Sequence, residues 1–294
     1  MKYTNQHKLH PAIVGAAIAS EGSNFPYEHD FSATQLLRPP RIEALTAYHR
    51  ADIQVDVHDS MNAMFGSTFH KIMEEGSKQL PDPKFVEHPL VASIEVEGSE
   101  FLVGGIIDLI YGYAITDWKT CKTSKFIYND FDEWEKQLNI YAWIARNNRF
   151  VIKSLSVVAF MLDWNRHVAG RRGIPSHNMP ELTIPLWTKE KQEGFIRERI
   201  LLHMDAIEQL PLCTDEERLA KPDKYALIKS GAKRASKLFD DFAEAKDTAS
   251  YENEKAGREV YLVETRLGDP TFRCDKFPCP VRNMCDQYKE LKKK

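Results

Sequence analysis

The chain has 294 residues, 43% of them hydrophobic and 28% charged, enough for one large domain or two modest ones around a sizeable core. Nowhere does an apolar run reach the roughly 18 residues that a transmembrane helix needs, so a membrane partner is not expected. Net charge is −3, so the global balance does not announce a nucleic-acid partner.

The opening MKYTNQHKLHPAIVG lacks a charged start followed by a long apolar core. It does not read as a secretory signal, and a reducing cytoplasm is the expected compartment. Residues 1–30 are punctuated by Gly, Ser and Asn and are taken as an N-terminal extension. DFSATQLLRPPR reads as a short capped helix stopped by Pro39 and Pro40. From about Asp59 to Lys78, Met61, Met64, Phe65, Phe69, Ile72 and Met73 recur at helical steps, predicting an amphipathic helix that carries His70. Three strands follow, in VASIEVEG, EFLVGGIIDLIYG and YAITDWKT, then a helix from about Phe131 to Arg149 and the alternating strand SLSVVAFMLDW. Residues 165–180 form a polar loop, ELTIPLW a short strand, and Thr188 to Gln209 a second long helix. Beyond Pro211, YALIKSGAKRASKLF predicts a small hairpin turning at Ser230–Gly231, followed by an acidic helix and the strand REVYLVETR. The expected class is α/β, a mixed central sheet of about four or five strands flanked by helices. A core at 31–210 and a cysteine-rich C-terminal subdomain at 211–294 complete the expected organisation.

The stretch GGIIDLIYGYAITDWKT holds three charges in an otherwise apolar hairpin. A tight turn at Gly112–Tyr113 puts Asp108 opposite Asp117, with Cβ atoms about 5 Å apart. Strand alternation puts Lys119 on the face of Asp117. Like charges so opposed are destabilising unless a cation joins them, and Mg²⁺ is held by this kind of carboxylate pair together with waters and phosphate oxygens. The set suits phosphodiester hydrolysis: Lys119 could position water or stabilise developing charge, and the Trp118 backbone carbonyl could complete the metal shell. An edge hairpin whose three charges face water fits the same short motif. Glu95 is a candidate accessory ligand or a solvated strand glutamate.

His70 precedes these residues, and Gln137 and Tyr141 follow them, four apart on one helix face. The order His70, Gly105-Ile106-Ile107-Asp108, Asp117-Trp118-Lys119, Gln137-Leu138-Asn139-Ile140-Tyr141 resembles the RecB-like branch of the PD-(D/E)XK nuclease superfamily. FSATQLLRPPRIEAL, CTDEERLAKPDKYALIKSGAKRA and the last cysteines extend the resemblance to phage-encoded exonucleases close to the CRISPR-associated adaptation nucleases, over residues 31 to 289. The resemblance implies a restriction-endonuclease-like core and a Mg²⁺- or Mn²⁺-dependent DNA exonuclease. Its partners would be single strands or duplex ends, and its setting phage or bacterial recombination, replication or repair, in a bacterial or virus-infected cell. By it, His70, Asp108 and Asp117 would hold the metal, Lys119 would act on the nucleophile, and Gln137 and Tyr141 would orient the site or contact the strand. A recombination or replication protein is a further partner it suggests. A non-catalytic module that holds DNA ends on the same fold is the alternative.

Of five cysteines, Cys274, Cys279 and Cys285 crowd the C-terminus, a pattern that in a cytoplasmic protein points to metal ligation rather than disulfides. Cys213 is the preferred fourth ligand, and Cys121 is expected to pack as a small hydrophobe. The resemblance implies a structural [4Fe–4S] cluster here, and four-thiolate Zn²⁺ is the competing assignment. In the adaptation nucleases the remote first cysteine precedes the nuclease core, whereas here no cysteine precedes Cys121. Arg166, Arg171 and Arg172, and the run Lys229, Lys233, Arg234 and Lys237, are candidates for contacting a phosphate backbone.

Overall fold

The segments KFVEHPLVASIEV and SEFLVGGIIDLIY pair antiparallel along their whole length, from Lys84↔Tyr111 to Val96↔Ser99. The turn between them uses Glu97 and Gly98 at φ 51° and 80°, the two left-handed positions of a two-residue hairpin loop, which glycine takes without strain. The computed structural model describes residues 2–19, 25–277 and 279–293. Part of the N-terminal extension, residues 20–24, lies outside them. The chain forms two compact units, Met1–Pro211 and Leu212–Lys294.

The first unit runs β1 (Lys2–Thr4), α1 (Pro11–Ala19), β2 (Phe31–Ser32), α2 (Ala33–Leu37), α3 (Pro40–Tyr48), β3 (Gln54–Asp56), α4 (Met61–Ser77), β4 (Lys84–Val96), β5 (Ser99–Tyr111), β6 (Ala114–Cys121), α5 (Ser124–Ile127), α6 (Asp132–Asn147), β7 (Ser154–Met161), β8 (Glu181–Ile184) and α7 (Lys189–Glu208). Its main sheet is six-stranded and mixed, in the order β2-β5-β6-β7-β8, with β4 on the other edge of β5. The sheet thus has one strand more than the upper end of the expected range. β1 pairs in parallel with β3, tying residues 2–4 to residues 54–56. Ser32 and Gln35 form a reciprocal capping box on α2, and Pro40 starts α3 as its first residue, so the Pro39–Pro40 step ends one helix and opens another.

Helix α6 buries Leu138, Ile140, Tyr141, Trp143 and Ile144 in the main core with Val103, Ile107, Ile110 and Ile115 of the sheet. Phe69 of α4 joins Leu109 and Trp118 in a second cluster, with Phe160 stacked on Phe69 at 5.2 Å. Phe65 and Ile72, which the sequence pattern placed on the apolar face of this helix, are exposed instead.

The second unit contains β9 (Lys224–Lys229), β10 (Lys237–Phe239), α8 (Phe242–Ala256), β11 (Tyr261–Arg266), α9 (Phe272–Lys276) and α10 (Asp286–Leu291). Its strands form an antiparallel sheet ordered β10-β9-β11. Leu227 and Phe239 of that sheet pack on Ala245 and Ala249 of α8. The expected hairpin exists, but its link is wider than a tight turn: Lys237 pairs with Leu227, and residues 230–236 connect the strands. Among the described residues no helix is long and apolar enough to cross a membrane.

Candidate active site

Strand pairing between β5 and β6 covers Tyr111↔Ala114, Ile110↔Ile115 and Leu109↔Thr116 and then stops. Asp108 and Asp117 are the next residues in that register. Where the backbone ladder opens, the Asp108 carboxylate takes its place: the Trp118 N–H donates to Asp108 Oδ2 at 2.8 Å. That bond satisfies a buried amide and fixes the carboxylate. Asp108 and Asp117 are both buried, at 6% and 1% exposure.

His70, on α4, brings Nδ1 to 3.4 Å from Asp108 Oδ2. The third member of this group is Glu87, and one ligand atom each of His70, Glu87 and Asp108 lies within 4.8 Å of the others. Val86↔Leu109 and His88↔Ile107 flank the position, so Glu87 stands opposite Asp108 although the two do not join the β4–β5 ladder. Glu87 has a left-handed backbone, φ 47°, a conformation costly for a residue with a side chain. Glu95, an accessory ligand or a solvated strand glutamate by sequence, is exposed and paired across the hairpin with Glu100, near its tip, and is the solvated glutamate; Glu87 is not among the sequence-based candidates.

Lys119 meets Asp117 Oδ2 as an ion pair at 2.7 Å, so Asp117 faces an ammonium here. Burial pushes the Asp108 carboxyl well above the ordinary carboxylate range; Asp117 adds to this, and Lys119 opposes it. Burial also raises Glu87, with Glu74 and Asp117 adding to it. His70 is lowered, first by burial, with Lys119 acting the same way, while Asp117 and a hydrogen bond to the Trp118 backbone pull upward. A neutral imidazole leaves a lone pair for a cation. Burial works to lower the Lys119 ammonium, but Asp117 and Asp108 outweigh it and hold the group above its ordinary value.

Gln137 and Tyr141 lie one turn apart on α6, and Gln137 Nε2 donates to the Tyr141 hydroxyl at 3.0 Å. Both are buried. Burial raises the Tyr141 phenol, and Asp117 and Asp108 raise it further, so its hydroxyl sits in their field. The Tyr141 ring also accounts for Gly105: a Cβ there would come within 2.7 Å of Tyr141 Cε1. The glycine three residues before Asp108 is what lets this ring lie against the strand.

The donor set of the site can be tested against a metal. Glu87 and Asp108 meet the His70 imidazole, and Asp117, which acts on both carboxyls, pairs with the Lys119 ammonium. Two of the carboxyls are pushed toward their protonated forms, which is the cost a divalent cation would remove. Oxygen donors with one nitrogen fit Mg²⁺ or Mn²⁺.

In the second unit, Gln287 of α10 clasps the backbone of Cys213, accepting from its N–H at 2.9 Å and donating to its carbonyl at 2.8 Å. This brings Cys213 beside the helix that Cys285 precedes. Burial raises the Cys274 thiol, and Cys279 and Cys285 raise it further; burial and Cys285 likewise raise Cys279. Cys274, Cys279 and Cys285 thus share one neighbourhood, but among the described residues no three thiols come within 4.8 Å of one another as the atoms of His70, Glu87 and Asp108 do. Cys121, in the first unit, packs partly buried against the main core.

Comparison with known proteins yields little. No family model and no curated protein matches the chain. Among solved structures, the crystal structure of SSO0001 is similar at 16% identity and a TM-score of 0.47, over 65% of this chain and 84% of that one.

Proposed function

We propose that the chain is a Mg²⁺- or Mn²⁺-dependent deoxyribonuclease with a restriction-endonuclease-like core of the RecB-like PD-(D/E)XK type. The observation that carries this reading is the group formed by buried Asp108 with half-buried Glu87 and His70, beside the Asp117–Lys119 pair. Such a surplus of carboxylates in a partly dry site is costly to fold, and a cation would offset that cost.

In this reading His70, Glu87 and Asp108 hold the ion, with Asp117 and the Trp118 carbonyl next to it. A divalent ion in such a site polarises a phosphoryl oxygen and lowers the pKa of water. The Trp118 N–H keeps Asp108 oriented. Lys119, anchored by Asp117, sets its ammonium where negative charge grows on the scissile phosphate. The Tyr141 hydroxyl accepts from Gln137 and so has its own proton free to donate toward the strand or the carboxylates. Action from DNA ends, in phage or bacterial recombination, replication or repair, follows from the sequence resemblance. So does a structural [4Fe–4S] cluster on Cys213, Cys274, Cys279 and Cys285.

End-labelled single- and double-stranded DNA incubated with Mg²⁺ or Mn²⁺ tests the reading. Wild type should shorten the labelled strands, and Asp117→Ala and Lys119→Ala should each slow cleavage by about 100-fold or more. Wild type that cuts nothing, or variants that both cut normally, would refute it.

A further inference from the structure

Four cations of the second unit line one open depression. Helix α8 covers one face of the three-stranded sheet through Leu227 and Phe239, with Tyr225, Tyr261 and Val263 packed alongside. Strand alternation puts Leu238, Leu262 and Arg266 on the opposite face. Leu238 and Leu262, on the two edge strands, are 52% and 48% exposed there, and Glu264 lies exposed on the same face between Leu262 and Arg266. The link at 230–236 borders this face. Its residues 233–236, with Lys237, Leu238 and Arg266, line an open depression of about 580 Å³.

The lining carries Lys233, Arg234, Lys237 and Arg266, together with the Ser236 hydroxyl, and no carboxylate. Lys233, Arg234 and Arg266 make no ion pair among the described residues, and Lys237 reaches only the exposed Glu244, at 3.8 Å. Lys233, Arg234 and Arg266 around one depression favour an anion there, while Lys237, whose register partner Leu227 faces α8, stands at its rim. Exposed leucines beside them offer an apolar surface for flat rings. Phosphates at one edge and stacked apolar groups at the other describe a single nucleic-acid strand.

We propose that this depression binds the phosphate backbone of single-stranded DNA, with bases resting on the Leu238–Leu262 face. The choice of DNA rests on the nuclease reading above; the anion site itself does not. It is a binding surface within the second unit, built without any residue of the candidate active site.

Anisotropy of a fluorescein-labelled 12-nucleotide oligothymidylate with the full chain, in EDTA over 50–300 mM KCl, tests it. Without divalent cation no cutting occurs, so binding is read apart from cleavage. Wild type should bind with a steep salt dependence. K233A/R234A/K237A/R266A should bind at least tenfold more weakly at 50 mM, with a log–log slope shallower by about 3, since each strand phosphate contact contributes about 0.7. The charge-preserving set K233R/R234K/K237R/R266K should retain the wild-type slope, which separates loss of charge from loss of fold. An unchanged slope in the alanine variant overturns the proposal. So does ATP or a heptaglutamate peptide that displaces the probe as effectively as unlabelled oligothymidylate, since either would show a site for free nucleotides or acidic peptides. Hydrolysis of bis(4-nitrophenyl) phosphate with Mn²⁺, a substrate with no nucleic-acid strand, reports the nuclease reading separately.

Discussion

At the residue scale, the site is a problem of charge placed where water is scarce. Asp117 is buried against the Lys119 ammonium, so removing only the lysine leaves a carboxylate without its counter-charge. Lys119→Met should lower stability by about 3 kcal/mol, and the double variant Asp117→Asn/Lys119→Met should recover most of the loss. Urea unfolding in EDTA reads both, and a double variant as unstable as the single one would contradict the account. Turn arithmetic made part of this legible. Counting outward from Gly112–Tyr113 opposes Asp108 to Asp117, and the same count from Glu97–Gly98 opposes Glu87 to Asp108. Glu87 escaped notice because the sequence FVEHPL, with a proline two residues on, does not look like a strand. The reason for Gly105 was hidden too, since the Tyr141 ring that fills its place comes from a helix distant in sequence.

At the element scale, apolar periodicity located most helices and strands, and misled where a residue served two neighbours. β4 begins at Lys84, seven residues before the strand expected from the pattern, with Pro89 inside it. β4 lies at the sheet edge, where a missing N–H leaves no partner unsatisfied. α3 was missed because prolines that end α2 also start it. On α7, His203 is buried, and its Nε2 has no hydrogen-bond partner among the described residues. Burial, helped by the Arg199 guanidinium, lowers its pKa to about 4. The unfolded chain protonates this histidine below about 6.5 while the native state resists until about 4, so stability should fall as pH drops through that window. His203→Gln should flatten that fall in denaturant midpoints measured from pH 7 to 4. An unchanged slope would show that other groups set the acid limit.

At the scale of the whole molecule, each unit carries its own chemistry: carboxylates and imidazole in the first, four cysteines in the second. The clasp of Gln287 on Cys213 brings the Cys213 backbone from one end of the second unit's sequence beside α10 at the other, a meeting that cysteine spacing alone left open. Protein purified without air should be brown with broad visible absorption and carry iron, and Cys213→Ala and Cys285→Ala should each lose the colour. A colourless protein containing zinc would assign the thiolates to Zn²⁺ instead. The central claim concerns the first unit: a cation belongs with His70, Glu87 and Asp108. Electron paramagnetic resonance of free Mn²⁺ titrated into the protein measures it directly. Wild type and Glu95→Gln should bind Mn²⁺ alike, while Asp108→Asn and Glu87→Gln should bind at least tenfold more weakly; equal binding by all four proteins, or none by wild type, would contradict it.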